Sequence, residues 1–520
     1  MKGRIIGICC LLLGCMPLMQ AQTTHTPPKV VVGISIDGLN HHYLSLFWNE
    51  LSSGGFKRLV AEGTTFEDFS YGYEGAGSAT DLATLQTGAL PYLHGIVGNR
   101  CFLRKVAKSV AAGEDPASYS FGEGKAYSAH RLQASTISDQ LAEDSNGRTQ
   151  IISIATDPTS AVMQAGHAGL ALWVDATTGR WTTSSYYQTA LPSWTHKTAD
   201  DYLIDKVWEP LHLAALYHAA PRCKTKKFSH KLDNLCSGST RYEQFLTTPY
   251  ANSMVLDAAL QAFQHYEVGR DMQPDMLLLQ FSLQPLFMQA SLGLTLELED
   301  AYLRLDKHLA ELLDFIDKRF GKKEVLVYLT DPRSAVMEKP YHAQIPSKSF
   351  CSYRYMALLN AYLMAHYGNQ PWVQGTENGH IYLNRQLIEE QNKDLKQMQQ
   401  TAARFFATIP GVMNVSCAYQ LNENFVGTQS LRYAYHPNVS GDLLFSLQPG
   451  WYEVDKNEKP TGFATRYQTA TKLFLWGWHI PHTTVQEQVV ATSFAPSLAS
   501  WLKIGLPNAT QGHVLPLAIP

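Results

Sequence analysis

Four stretches of the chain are apolar without alternation. Residues 29–40 read KVVVGISIDGLN, 150–157 QIISIATD, 276–282 MLLLQFS and 324–331 EVLVYLTD. Continuous β-branched and aliphatic runs of this length, bounded by polar turns, suit strands covered on both faces, so the pattern predicts parallel-type strands. Between the last two lies LELEDAYLRLDKHLAELLDFIDKRF (296–320). Leu298, Tyr302, Leu305, Leu309, Leu312 and Ile316 share one helical stripe there and charges fill the other faces, which predicts a helix packed on the sheet. Strand–helix alternation over such a length implies an α/β three-layer sandwich with a mainly parallel central sheet and helices on both faces. Such sheets place ligands beyond the C-terminal ends of their strands, where Asp37, Ser282, Thr330 and Asp331 fall. Loop-rich insertions near 103–130 and 176–250 are expected to cap that edge. With no internal repeat or low-complexity linker, 22–520 reads as one elaborated domain.

Charge and composition narrow the partners. The chain has 520 residues, 45% hydrophobic and 17% charged, an ordinary globular balance. Its 42 basic and 45 acidic residues leave a net charge of −3 with no long run of one sign, which speaks against a nucleic-acid surface or a polybasic membrane patch. Met1-Lys2-Gly3-Arg4 precedes IIGICCLLLGCMPLM (5–19) and Gln20-Ala21-Gln22. That apolar core is too short to span a bilayer, and 1–21 reads as a cleaved secretory signal ending at Ala21. A competing reading makes Leu12-Leu13-Gly14-Cys15 a lipoprotein box with Cys15 lipidated. Either way the chain is expected to be exported, periplasmic or outer-membrane-associated, with no transmembrane segment in its mature part.

Three of eight cysteines lie in the signal, leaving Cys101, Cys223, Cys236, Cys351 and Cys417. Export favours disulfides, and the short loop makes Cys223–Cys236 the candidate pair. The odd count leaves at least one thiol unpaired within the chain. No C-x-x-C occurs after the signal, so a zinc ribbon or thioredoxin-like motif is excluded.

Further segments form a recognisable set. They are GGFKRLVAEGTTF (54–66), TGALPYLHGIVGN (87–99), AGH (165–167), ELEDAYLRLD (297–306), SGD (440–442), LQPGWYE (447–453) and ATSFAPSLASWLKIGLP (491–507). On these, from about residue 29 to 515, the chain resembles the alkaline phosphatase superfamily, in the branch of secreted bacterial phosphatases related to nucleotide pyrophosphatases/phosphodiesterases. The resemblance implies two metal ions, usually zinc, that activate a Thr or Ser nucleophile for in-line phosphoryl transfer. Their ligands would be carboxylates and imidazoles from strand ends.

Carried over residue by residue, the pattern breaks. Asp37 matches the first ligand, Ser78 the nucleophile (Thr80 if the loop is slipped by two) and Asn99 a phosphoryl contact. An Asp and a His should follow the strand ending at Ser282, where Pro285 and Gln289 stand. An Asp-His pair should follow Thr330, where Pro332 and Arg333 stand; a slip of one residue would restore Asp331, with no His after it. The last His position holds Ala470. The Lys and Arg that relatives use to hold phosphate are replaced by Asp157 and Thr159.

Other histidines do not repair the set. His41 and His42 read as exposed turn residues, His479 and His482 follow the strand the family His precedes, and His94 and His167 read as loop-capping residues. Ser78 with Asp81 reads as an S-x-x-D helix cap. The expectation is an exported, catalytically inactive pseudoenzyme without a metal cofactor, a binding or scaffold component with a protein partner in the bacterial envelope. Leu286, Phe287 and Met288 would partly plug its cleft. The alternatives are an active phosphomonoesterase/phosphodiesterase with zinc in a remodelled site (Ser78 nucleophile, Asp37 and Asp331 ligands), or a metal-free receptor with Arg333 as an anion contact.

Overall fold

The apolar runs become the centre of one sheet because each strand is covered on both faces. The computed structural model describes residues 26–75, 77–221, 228–283, 294–332, 348–422, 429–458, 460–464 and 470–519. Strand Val30–Asp37 lies between Asp275–Ser282 and Val325–Thr330, parallel to both, with Asp37 opposite Ser282 and Ser35 opposite Thr330. Ile151–Ala155 and Leu170–Asp175 continue the parallel array on one side. On the other side Ala470–Gly477 enters antiparallel, followed by Thr64–Ser70, in a sheet of ten strands.

Alternate residues of Val30–Asp37 serve two cores, as the pleat demands. Val30, Val32, Ile34 and Ile36 pack with Leu256, Phe263, Leu305 and Leu309 of helices Tyr250–His265 and Leu296–Phe320. Val31 packs on the opposite face with Ile137 and Leu141 of Ile137–Asp144 and Phe494 and Leu498 of Phe494–Leu502. The result is a three-layer α/β sandwich with a mainly parallel sheet. Gly33 shows how tightly the middle strand is pressed: a Cβ there would lie 2.3 Å from the Tyr328 ring and 2.7 Å from Leu278.

The 25-residue helix Leu296–Phe320 starts at Thr295, whose side chain accepts the Leu298 N–H. Its stripe is buried as expected, and three of its acids are buried too. Asp300 accepts from Trp208 Nε1 (2.7 Å), Leu211 N (2.8 Å), Tyr217 Oη (2.7 Å) and Arg304 Nε (2.6 Å). Glu299 accepts the His218 and Ala219 N–H groups, both at 2.9 Å. Asp306 takes Ser52 N at 2.7 Å and Phe56 N at 2.9 Å. The ELEDAYLRLD segment is therefore a clamp for neighbouring loops.

A second core was not anticipated. Between Val325–Thr330 and Ala470–Gly477 the chain builds an antiparallel sheet of Val373–Glu377, His380–Leu383, Leu443–Leu447 and Val412–Cys417. Phe350, Leu359, Trp372, Met398, Phe406 and Phe445 join in its separate cluster, with helices Ser352–Tyr367 and Leu395–Phe406. The hairpin Arg100–Leu103/Lys108–Ala111 ties this unit to the main one. Arg104 Nη1 donates to Asp442 at 2.9 Å and Arg100 Nε to Glu377 at 3.3 Å. Asp442, fully buried, also accepts from Arg385 Nε (2.7 Å) and Leu383 N (2.8 Å), so the SGD segment is a joint between the two units.

The two loop-rich stretches named above meet beside the sheet edge, where Ser184 Oγ donates to Tyr127 O at 2.7 Å and Tyr187 Oη accepts Ala129 N–H at 3.1 Å. Among the described residues no helix is long and apolar enough to cross a membrane. Cys236 is a buried free thiol, against the expected pairing with Cys223, which lies outside the described residues. Cys15 lies outside them as well.

Candidate functional site

A cleft of about 690 Å³ opens over the C-terminal ends of the parallel strands. Its floor holds Asp37, Gln280 and Ser282 from strand ends and Ser78 from the helix Ser78–Thr87. Ser78 Oγ donates to Asp37 Oδ2 at 2.7 Å, and both residues are buried. Asn99 Oδ1 accepts the Ala79 N–H at 2.9 Å and so holds the start of the same helix. Gly77 precedes it because Asn99 leaves no room: a Cβ at Gly77 would sit 2.8 Å from Asn99 Oδ1.

This corrects the reading of Ser78 as a helix cap. Ser78 is the first helical residue, the cap position is Gly77 without a side-chain bond, and the hydroxyl goes to a strand end 41 residues away. Asp81 instead accepts the Tyr73 hydroxyl at 2.6 Å. Ser78, rather than Thr80, is the hydroxyl brought to Asp37.

Asp331 stands one residue past Val325–Thr330, beside the strand of Asp37. His41 Nε2 lies 2.7 Å from its Oδ1 and 3.1 Å from Thr471 Oγ1, and the Thr471 hydroxyl also bonds Asp331. His41 is therefore a partly buried hydrogen-bond partner of Asp331, against its reading as an exposed turn residue, whereas His42 is exposed. Sequence spacing had no means of linking residues 290 and 430 positions apart.

Two-metal chemistry requires several convergent carboxylates and imidazoles. Among the described residues no three His, Cys, Asp or Glu side chains gather in that way. Asp37 receives the Ser78 hydroxyl and Asp331 the His41 imidazole, and the segments that follow Leu283 and Pro332 lie outside the described residues. Pro332 is buried and has no donor atom to offer. Ala470 begins the strand Ala470–Gly477 opposite Ser70. Pro285, Leu286, Phe287, Met288, Gln289 and Arg333 lie outside the described residues.

Asp157 caps helix Pro158–Ala165, its Oδ2 accepting Ser160 N–H at 2.6 Å. A helix N-terminus ordinarily attracts anions, but here the chain's own carboxylate occupies that place. The Asp157 side chain opens onto the cleft, yet protein surrounds it closely enough to raise its pKa above the ordinary carboxylate value, with the Ser160 bonds opposing. Tyr127 on the facing wall is pushed up to about 12, first by burial and then by the charge of Asp157.

Other lining groups escaped the sequence reading. Asp175 ends the strand Leu170–Asp175 and accepts from Glu123 N (2.8 Å), Gly124 N (3.1 Å) and Thr177 N (2.8 Å), which lower its pKa against the effect of burial. Its signal was present: LALWVD has the apolar-run-then-Asp grammar of the Asp37 strand. Glu243 at the rim had none. Arg100 and Lys125 are the basic residues in the lining, and each is engaged, Arg100 with Glu377 and Lys125 with Glu114 at 2.8 Å.

Of the other histidines singled out in the sequence, His94 takes a structural place. His94 is fully buried, accepts Ile96 N–H at Nδ1 (3.2 Å), and is pushed down to about 3 by desolvation. Its Nε2 must then carry the proton and faces Thr84 Oγ1 at 3.0 Å. His167 Nδ1 lies 3.1 Å from Tyr186 Oη. His479 packs against Trp478 with ring centroids 5.6 Å apart, and His482 is exposed.

A sandwich of this topology, with a hydroxyl at a helix start beside a strand-end aspartate, is the frame of a phosphoryl-transfer superfamily. The family model for type I phosphodiesterase / nucleotide pyrophosphatase matches residues 31–472, and the chain belongs to that family, within the alkaline phosphatase superfamily. It is 28% identical over 521 residues to a protein of Myroides odoratus named calcium-transporting ATPase, covering 95% of each. It is 24% identical to alkaline phosphatase PafA of Elizabethkingia meningoseptica over 95% of each chain. The crystal structure of wild-type PafA superposes with a TM-score of 0.83 at 23% identity, over 95% of this chain and 99% of that one, which establishes the fold.

Proposed function

We propose that this chain is a non-catalytic member of its family: an exported binding or scaffold protein that works with a protein partner in the cell envelope. The observation that carries the proposal is that two strand-end carboxylates are hydrogen-bonded by the chain's own groups, Asp37 by Ser78 and Asp331 by His41 and Thr471. A serine hydroxyl without a metal or a strong base to activate it keeps its ordinary high pKa and is a poor nucleophile. Here that hydroxyl donates only to the weakly basic carboxylate of Asp37, and by the family resemblance the carboxylate of Asp157 falls at a position matched to a phosphate-holding cation. The signal-like stretch 1–21 supports export, and the export compartment supports an envelope partner.

The retained Ser78–Asp37 contact favours a second reading, a phosphomonoesterase or phosphodiesterase with a remodelled zinc site. One experiment separates the two. The mature protein is analysed for metal and assayed with p-nitrophenyl phosphate and bis-p-nitrophenyl phosphate in added zinc, beside Ser78→Ala. The proposal expects no stoichiometric zinc and equal, background turnover in both proteins. About two zinc ions per chain, the complement of a two-metal site, with turnover abolished in Ser78→Ala, would establish the second reading.

A further inference from the structure

We infer that the cleft above Ser78 receives a small organic cation, a primary amine, in place of a phosphate ester; this rests on the non-catalytic reading of the same site.

The cleft is the wrong sign for phosphate. Asp37, Asp157, Asp175 and Glu243 line it, against Arg100 and Lys125. Both basic groups are partly exposed and paired with acids outside the cleft lining, Arg100 with Glu377 and Lys125 with Glu114, so acids outnumber bases around the cleft itself. The carboxylates differ in what they have left to give. Asp37 receives Ser78, and Asp175 spends its oxygens on three backbone N–H groups. Asp157 caps its helix through Oδ2 while its side chain is open to the cleft, and Glu243 is exposed at the rim.

An independent observation points to an occupant. Gln280 lines the cleft, is 0% exposed, and neither its Oε1 nor its Nε2 has a hydrogen-bond partner among the described residues. A buried amide left without partners is destabilising, and such exceptions in native proteins call for a water, an ion or a ligand that supplies the bonds. An ammonium N–H is a donor for Oε1. Tyr127 and Trp173, ring centroids 5.8 Å apart and T-shaped, supply an aromatic wall suited to a cation. At about 690 Å³ the cleft falls within the usual size of small-molecule sites.

The test is thermal shift and isothermal titration of the mature protein with spermidine and putrescine at constant ionic strength, beside inorganic phosphate and calcium chloride. The expected result is saturable stabilisation by at least one amine and none by phosphate. Asp157→Asn keeps a good helix cap and should weaken amine binding about tenfold, which corresponds to roughly 1.4 kcal/mol; Glu243→Gln, outside the helix cap, should weaken it less. Stabilisation by phosphate or calcium alone, equal amine affinity in wild type and a folded Asp157→Asn, or no amine binding would each overturn the inference. In a protein without metal or turnover those results leave the non-catalytic reading standing, whereas zinc-dependent turnover overturns that reading.

Discussion

Asp300→Ala should be the most damaging single change in the helix Leu296–Phe320. Asp300 is fully buried and accepts four hydrogen bonds, from the Trp208 indole, the Leu211 amide, the Tyr217 hydroxyl and Arg304. Removing it strands the indole and the amide without an acceptor, since neither can turn elsewhere. The Tyr217 hydroxyl is less constrained, because it also accepts His212 N–H at 3.3 Å. Arg304, with 19% of its side chain exposed, loses its carboxylate partner. Each bond to a charged acceptor is worth about 1.5–3 kcal/mol and the values do not add; breaking a buried ion pair from one side costs about 3–5 kcal/mol. The expected loss is therefore about 3–5 kcal/mol, concentrated on the 204–221 segment.

The control is Asp314→Ala on the same helix. Asp314 pairs with Arg58 at 3.2 Å but is 59% exposed, and a pair of that kind contributes below about 1 kcal/mol. Urea unfolding followed by tryptophan fluorescence gives both values, and hydrogen exchange at 207–221 locates the damage. A loss for Asp300→Ala no larger than that of Asp314→Ala, with unchanged exchange at 207–221, would refute the clamp assigned to the ELEDAYLRLD segment.

Acid should destabilise the protein through buried histidines: desolvation pushes His94 down to about 3 and His308 and His380 to about 4, so each is neutral when folded and takes a proton when unfolded. Their stabilisation is complete above the unfolded value of 6.5 and is lost as pH falls below it, at about 1.4 kcal/mol per pH unit per histidine. Glu377, raised to about 7 by burial, acts in the opposite sense, because the folded state takes up its proton first as pH falls. His94→Gln should accordingly flatten the stability curve between pH 6.5 and 5, and an unchanged slope by urea unfolding would count against a neutral buried His94. Cys236, buried and with its thiol pushed up to about 11, should resist iodoacetamide in the folded protein while the half-buried Cys351 reacts. A peptide linked through Cys236 after non-reducing digestion would contradict the free thiol.

Much of the frame was legible in the chain because the signals are local. A continuous apolar run can be buried only between two layers, so the strands ending at Asp37, Ala155, Ser282 and Thr330 were readable one by one, and so was the stripe of Leu296–Phe320. What those signals could not carry was the second core from Phe350 to Trp451. Its strands are short, and their pairing joins segments far apart in sequence, such as His380–Leu383 with Leu443–Leu447.

The same division runs through the site. The sequence by itself determined which residue types stand at the strand ends, Asp37 and Asp331 with a hydroxyl at Ser78 and the carboxylate of Asp157 at a helix start. Only the tertiary structure decided what those groups do. Whether Ser78 caps its own helix or bonds Asp37, and whether His41 faces solvent or Asp331, depends on partners 41 and 290 residues away. Hydrogen bonding and charge neutralisation act over a few ångströms in space, whatever the separation along the chain, and packing of the sheet edge sets those distances.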